Sequence, residues 1–332
     1  MMLFSLIVPV YNRPDEVADL LKSLASQTER DFELVIVEDG STVPCKEQVE
    51  QYASVFPIQY FAKSNEGRSI ARNYGMQNAK GDFFVFVDSD CILPDDYFVT
   101  LKQSLQNNPV DFFGGPDAAH QSFTDTQKAI NFAMTSFLTT GGIRGGKVQM
   151  EKFVPRTFNM GFSRRVWEKV GGFREMFSED IDMSTRIRQA GFPPALFRDV
   201  KVYHKRRGNL AKFWRQVHVF GMSRITLQLL YPGSMKAVHW MPALFTIGSI
   251  GLIILAILLS PLFLIPLAIY LLALWISALV TTKNFKISLM AVAAALVQLY
   301  GYGTGFIRAY VWKILLRHGR DEAQEIRLRK GR

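Results

Sequence analysis

The sequence predicts a doubly wound α/β domain with a mostly parallel sheet, followed by an all-α membrane region. Two observations carry that expectation. Up to about Lys205, short runs rich in Phe, Val and Ile alternate with amphipathic stretches, the pattern of strands joined by crossover helices. From Ala237 to Thr282, by contrast, there is no Asp, Glu, Lys or Arg at all. As one helix, at ~1.5 Å per residue, that run would be roughly 70 Å long, about twice a bilayer core, so it must hold two spans.

Leu3–Val8 reads as a buried strand with Pro9-Val10-Tyr11-Asn12 at its C-terminal end. Val17, Leu20, Leu21 and Leu24 recur at helical spacing after a Pro14-Asp15-Glu16 start. Phe32–Val37 is a second strand, ending in Glu38-Asp39-Gly40-Ser41, and Ile58–Phe61 a third. The segment Asn65–Asn73 opens a helix that runs to about Lys80 and is closed by Gly81. The strand Phe83–Val87 organises the rest: it is apolar on both faces and is followed by Asp88-Ser89-Asp90. Asp is a poor strand former, so both acids fall at the strand's C-terminal edge, where open α/β sheets bind ligands. Carboxylates there can hold Mg²⁺ or Mn²⁺ against a phosphate. On spacing alone, a plain turn after a strand is an equal alternative. Neither a Gly-x-Gly-x-x-Gly turn nor a Walker loop occurs, so phosphates would have to be met by metal and arginines.

Val110–Gly115 and Thr157–Gly161 read as further short strands, with a glycine-rich loop, expected to be mobile, over Thr139–Lys147. After Gly171-Gly172-Phe173 a helix runs from Ser178 to Ala190 and is stopped by Gly191 and Pro193. Asp180 falls in its first turn. Acids are favoured there by the helix dipole with no chemistry needed; the functional reading is a carboxylate that takes a proton from an incoming hydroxyl. Arg186 and Arg188 follow on the same helix, as solvated residues or diphosphate contacts. Asp199–His204 is a strand reaching a lone histidine, a residue more often structural than functional.

Lys and Arg number 39 against 29 Asp and Glu, a formal net charge of +10. Nucleic acid is one partner class for such an excess. However, Lys201, Lys205, Arg206, Arg207, Lys212, Arg215 and Arg224 precede the apolar block, and Arg317, Arg320, Arg327, Arg329, Lys330 and Arg332 follow it. That placement suits an anionic membrane face, with no nucleic-acid partner. Cys45 and Cys91 offer neither a disulfide framework nor metal spacing. The first strand starts at Leu3, so no signal peptide is expected and the α/β part is expected to stay in the cytoplasm.

Leu210, Phe213, Trp214, Val217 and Phe220 form one helical stripe with Lys212, Arg215 and Arg224 off it. That is the pattern of an interfacial helix, or of an amphipathic helix packed on the α/β domain. The first two spans are expected at Met241–Leu259 and Leu262–Thr281. A third apolar stretch, Ile287–Ile307, contains Gln298, Gly301, Gly303 and Gly305, small residues among them permitting close packing. Three spans would put the basic tail outside, against the positive-inside rule, so two versus three stays open. The expected regions are 1–207, 208–235, 236–312 and 313–332: the α/β domain, an interfacial helix, the membrane helices and a basic tail.

Taken in order, Ile7-Val8-Pro9-Val10-Tyr11-Asn12, Glu38-Asp39-Gly40-Ser41, Asn65-x-Gly67-x4-Arg72-Asn73, Asp88-Ser89-Asp90, Asn159-x-Gly161, Gly171-Gly172-Phe173 and Glu179-Asp180 stand in one chain. Together they resemble the family 2 glycosyltransferases, inverting enzymes of the Rossmann-like GT-A fold, over residues 3 to about 205. The resemblance implies transfer of a sugar from a nucleotide sugar (a UDP- or GDP-sugar) to an acceptor hydroxyl, with Mg²⁺ or Mn²⁺ on the diphosphate. By position it implies that Asp39 reads the nucleobase, with Pro9, Tyr11 and Glu38 lining that pocket. Arg72 would approach the base or diphosphate, and Arg186 and Arg188 would join it if their helix faces the cleft. Asp88 would meet ribose or metal, Asp90 would bind metal with His204 as a further ligand, and Asp180 beside Glu179 would be the catalytic base. Arg186–Gly191 lacks the Gln-x-x-Arg-Trp signature of processive members, which points to single transfer. Cys91 stands where another small or acidic residue is usual in the family.

A catalytically inactive nucleotide-sugar sensor or scaffold is the alternative, opposed by the joint presence of Asp39, Asp90 and Asp180. A transport component is opposed by spans free of charged residues. Soluble acceptors give no reason for spans beside a catalytic domain. A lipid-linked or glycan acceptor in cell-surface glycan synthesis is therefore expected, at the inner or plasma membrane, with the catalytic domain cytoplasmic.

Overall fold

The computed structural model describes residues 2–118, 123–141, 153–205 and 207–328. The chain begins β1 (Phe4–Val10), α1 (Pro14–Ala25), β2 (Phe32–Asp39), α2 (Lys46–Glu50), β3 (Ile58–Lys63), α3 (Arg68–Asn78) and β4 (Phe83–Phe86). Next come β5 (Cys91–Ile92), α4 (Tyr97–Asn107), β6 (Phe112–Gly114) and β7 (Asp117–Ala118), then α5 (Asp125–Thr135) and α6 (Phe137–Thr140). The α/β part closes with β8 (Met160–Ser163), α7 (Arg164–Val170), α8 (Glu179–Gln189), β9 (Ala195–Leu196) and β10 (Val202–His204).

The main sheet has the order β3-β2-β1-β4-β8-β6-β9. β1 lies inside it, between β2 and β4; its Phe4, Leu6, Ile7 and Val8 are apolar on both faces, and all four are fully buried. β1 runs parallel to β2 and β4, in register Val10↔Glu38 and Ile7↔Phe86. The sheet is mostly parallel, but β8 runs antiparallel to β4 and β6. A small second sheet, β5-β10-β7, stands apart from it.

Three strands fall elsewhere than expected; the one expected over Asp199–His204 begins at Val202. β6 stops at Gly114, because Pro116 has no N–H to extend a ladder. The strand expected over Thr157–Gly161 begins at Met160; Thr157–Asn159 form a turn closed by Asn159 N–H to the Arg156 carbonyl, 2.9 Å. Of the glycine-rich stretch, Thr139 and Thr140 belong to α6 and Gly141 closes it at φ 63°; residues 142–147 lie outside the described residues.

The chain divides into two compact units, each discontinuous in sequence. One comprises Met1–His120, Phe153–Lys205 and Leu328–Arg332; the other comprises Gln121–Lys152 and Arg206–Arg327. The helical unit thus takes in a segment from within the region expected to be purely α/β. Its other helices are α9 (Leu210–Leu230), α10 (Ala237–Leu258), α11 (Ile265–Thr282), α12 (Phe285–Ala309) and α13 (Gly319–Leu328).

Among the described residues, three helical stretches are long and apolar enough to cross a membrane: Ala237–Leu258, Pro261–Thr282 and Phe285–Leu315, the last with a π-helical end over Tyr310–Leu315. Ile257, Leu258 and Val280 are more than two-thirds exposed, a surface matched to lipid rather than water. α12 packs against α5, α9, α10 and α11. Glycines let the α9 and α12 backbones touch: a Cβ on Gly221 would stand 2.1 Å from the Tyr302 carbonyl, and one on Gly305 2.0 Å from the His218 carbonyl. Phe213 and Val217 of α9 are buried in a cluster with α12 residues. Arg224, expected among the solvent-facing basic residues, is instead buried and donates to the Ser234 carbonyl.

Candidate active site

The C-terminal ends of β2, β1 and β4 share one sheet edge, since the strands are neighbours and parallel. Chain order reverses between β1 and β4, the position where open α/β sheets leave a crevice. Tyr11 is half exposed there, after Pro9 within β1. Asn12, at φ 53°, accepts from the Thr42 and Val43 amides at 2.8 and 3.0 Å, tying the β1 end to the loop after β2.

Glu38 is buried and accepts from the Cys45 amide (2.8 Å), the Cys45 thiol (3.0 Å), the Tyr60 hydroxyl (3.1 Å) and the Ser41 hydroxyl. Burial, and then Glu38 itself, push the Cys45 thiol and Tyr60 phenol up, so both remain protonated donors. Asp39 accepts from the Glu66 and Gly67 amides at 3.0 and 2.9 Å and pairs with Lys63 at 3.1 Å. The two acids expected to meet the base therefore also hold the loops that shape this edge.

Arg72 of α3 is almost fully buried and bridges two further acids. Its Nη1 lies 2.8 Å from Glu179 Oε1, its Nη2 2.9 Å from Asp88 Oδ1, and its guanidinium 5.7 Å above the Phe173 ring. Arg68, one turn earlier, donates to the other Glu179 oxygen at 2.7 Å. Ser178, left-handed at φ 63°, leads into α8 so that Glu179 is 2% exposed while its neighbour Asp180 keeps 19% of its side chain open. Glu179 is spent on two arginines; Asp180 Oδ2 faces Arg156 Nη1 at 3.4 Å and its Oδ1 accepts from the Ile181 amide at 2.8 Å. The Gly171-Gly172-Phe173 turn is locked to Asn73, which exchanges hydrogen bonds of 2.9 and 2.7 Å with the Phe173 backbone. A Cβ at Gly172 would come within 2.5 Å of Asn73 Oδ1.

The Asp88-Ser89-Asp90 turn meets β10. Asp90 Oδ1 is 3.1 Å from His204 Nε2 and Asp88 Oδ2 is 3.8 Å from the same nitrogen. Arg13 Nη1 holds Asp90 Oδ2 at 3.1 Å, and Asp117 Oδ2 lies 3.8 Å from His204 Nδ1. These donors fit a small divalent cation. An octahedral ion with ligands at ~2.1 Å places adjacent donors about 3.0 Å apart, close to the Asp90–His204 separation, and the carboxylate oxygens are donors that suit Mn²⁺ and Mg²⁺. His204 Nδ1 is buried and faces Asp117, while Nε2 faces Asp90 and Asp88. Burial alone would push the imidazolium down; Asp90, Asp117 and Asp88 outweigh it and raise it to about 9. Cys91 Sγ is within reach of the same atoms, but burial and then Asp90 push the thiol up, which leaves it neutral and unsuited to a hard cation.

The sequence profile described as Glycosyl transferase family 2 matches residues 5–172, half of the chain. The chain belongs to this family. An uncharacterized glycosyltransferase of Rickettsia conorii is 40% identical over 105 residues, covering 31% of this chain and 17% of that protein. The uncharacterized glycosyltransferase YibD of Escherichia coli is 30% identical over 187 residues, 55% of this chain and 51% of its own length. The family 2 chain thus spans about half or less of the length of these relatives. Among solved structures, the mannosyltransferase PcManGT from Pyrobaculum calidifontis, in complex with GDP-Man and Mn²⁺, superposes with a TM-score of 0.56 at 18% identity, covering 96% of this chain and 88% of that one. Residues 1–349 of Staphylococcus aureus TarS with UDP give 0.51 at 20% identity, with 92% and 90% covered. At such identities the likeness shows the GT-A fold.

The site of this family 2 member gathers Arg72, Asp88, Glu179, Asp90 and His204 through direct contacts. Arg186 and Arg188 are placed otherwise. Arg186 pairs with fully buried Asp182 at 2.9 Å and caps the Val170 and Gly172 carbonyls at 3.1 and 2.7 Å, because Asp182 one turn earlier needs a cation. Arg188 is exposed. Sequence reasoning missed Arg13, Arg68, Asp117 and Arg156. Only Arg68, four residues before Arg72 on one helix face, left a readable signal.

Arg72→Met should lower the unfolding free energy by about 3–5 kcal/mol, since it strands Asp88 and one Glu179 oxygen without their cation. Urea titration of the purified protein checks this. An unchanged midpoint would show that the bridge is not needed for stability.

Proposed function

We propose that the chain is a membrane-anchored inverting glycosyltransferase that moves one sugar from a nucleotide-diphosphate sugar to a hydroxyl of a lipid-linked acceptor in cell-surface glycan synthesis. The observation that carries the reading is the Asp88–Arg72–Glu179 bridge. It joins the acids at the β4 end to the helix turn that carries Asp180, so a cation-binding cluster and an accessible carboxylate belong to one assembly. Asp180 would accept the proton of the acceptor hydroxyl while its oxygen bonds to the anomeric carbon and the bond to the diphosphate breaks, inverting that carbon. Asp90, Asp88 and His204 would hold Mg²⁺ or Mn²⁺, and the bound cation supplies charge neutralisation of the leaving diphosphate. Asp39, Glu38, Pro9 and Tyr11 line the edge where the nucleobase would sit.

The three apolar helices support an acceptor confined to the headgroup layer, with the α/β unit on the cytoplasmic side of an inner or plasma membrane. Basic residues ahead of the first candidate span, such as Lys212 and Arg215, are exposed, each favouring an anionic surface by about 1 kcal/mol. The full-length protein in lipid vesicles should release nucleotide from one UDP- or GDP-sugar of a panel only with Mn²⁺ or Mg²⁺, and the labelled sugar should partition into the organic-extractable fraction. Release without added metal, or label recovered only on soluble acceptors, would overturn the corresponding half of the proposal.

A further inference from the structure

We propose that Asp117 is a positioning residue that holds the His204 ring so that Nε2, rather than Nδ1, is presented beside Asp90 to a divalent cation. This rests on the reading that Asp90 and His204 bind that cation.

The small sheet is built to bring these groups together. β10 pairs with β7 through Val202↔Asp117 and Tyr203↔Ala118, and with β5 through His204↔Cys91, directly after Asp90. Asn159 clamps the two chain segments: its Nδ2 donates to the Val200 carbonyl at 2.8 Å and the Pro116 carbonyl at 3.4 Å, while its Oδ1 accepts from Tyr97 at 2.8 Å. Gly115 permits the approach, since a Cβ there would stand 1.8 Å from the Val200 carbonyl.

The imidazole is thereby restrained on three sides. Phe158 stacks on its face, with centroids 5.2 Å apart and planes at 29°. Asp90 stands 3.1 Å from Nε2 and Asp117 3.8 Å from Nδ1. The Asp117 side chain is 1% exposed, so its charge acts on the ring with little screening by water. A neutral imidazole binds metal through the nitrogen that lacks a proton, and a carboxylate behind the other nitrogen selects that tautomer and fixes the ring plane. Arg13 plays the matching part for Asp90, holding Oδ2 while Oδ1 faces the histidine.

The test uses the full-length protein in detergent, with Mn²⁺ alone as probe and free Mn²⁺ read by electron paramagnetic resonance. Asp117→Asn should weaken Mn²⁺ binding about 10-fold or more and reduce the imidazole-nitrogen modulation of the spin echo, with the metal-free unfolding temperature as a fold check. Mn²⁺ affinity within twofold of the parent, with the nitrogen signal intact, would overturn the proposal. A measurement without mutation guards against a variant that does not fold: in ¹⁵N-histidine-labelled parent protein with Mg²⁺, the His204 proton should sit on Nδ1. A proton on Nε2 would also overturn it. His204→Ala separates the two ideas. If it leaves Mn²⁺ affinity and the nitrogen signal unchanged, the histidine-ligand reading itself fails. If it weakens binding while Asp117→Asn does not, only the role of Asp117 fails.

Discussion

Asp180→Asn is expected to reduce sugar transfer by about 10²–10⁴-fold, the range typical of a general base, while donor binding stays within about threefold of the parent. The asymmetry follows from the first turn of α8. Glu179 holds Arg68 and Arg72 and is closed to solvent, whereas Asp180 keeps part of its side chain open, with Arg156 at 3.4 Å on one oxygen and the Ile181 amide on the other. An amide of the same shape preserves packing but cannot take a proton from the acceptor. Single-turnover transfer from a labelled nucleotide sugar, with donor affinity measured separately by calorimetry, distinguishes the two effects. Turnover at the parent rate would reduce Asp180 to an acid favoured at a helix N-terminus and nothing more.

Asp90→Ala is expected to act on the donor itself. It removes the carboxylate nearest His204 Nε2 and releases Arg13, so the cluster loses a ligand oxygen and its orientation together. Mn²⁺ affinity should fall more than about 100-fold, beyond the loss usual for an outer partner of a metal ligand, and donor binding with Mn²⁺ should drop to the level seen without it. Titration calorimetry with and without metal reads both. If the unmutated protein binds nucleotide sugar equally well in a chelator, the acids at the β4 end do not serve the donor through a cation.

The parts of the molecule that sequence reasoning reached share a physical cause. β1, β2 and β4 are buried on both faces, so their apolar runs stand out, and the acids that end them must lie on one edge once the strands are parallel. The first turn of α8 was readable for the same local reason. What escaped depends on pairing between distant segments. β5, β7 and β10 are two or three residues long, too short for any periodicity, so nothing in the sequence joins Asp117 to His204. Arg186 and Arg224 look solvent-facing by composition; one is drawn in by buried Asp182 and the other by the Ser234 carbonyl. An amphipathic helix such as α5 reads alike whichever neighbour covers it.

That last helix bears on how the polypeptide is made. Its apolar face, with Ala129, Ile130, Phe132 and Ala133, is covered by residues such as Ile287, Ala291 and Ala294 of α12. The link between Asp125 of α5 and Lys286 of α12 spans 161 residues. At about 5–20 residues per second, a ribosome needs roughly 10–30 s to deliver the covering helix after α5 has emerged. During that interval the face must be shielded by a chaperone, the insertion machinery or lipid, and synthesis cut short after the α/β strands leaves it bare. The α/β half of the gene is therefore not a freely separable cassette: part of its reading frame already belongs to the helical unit.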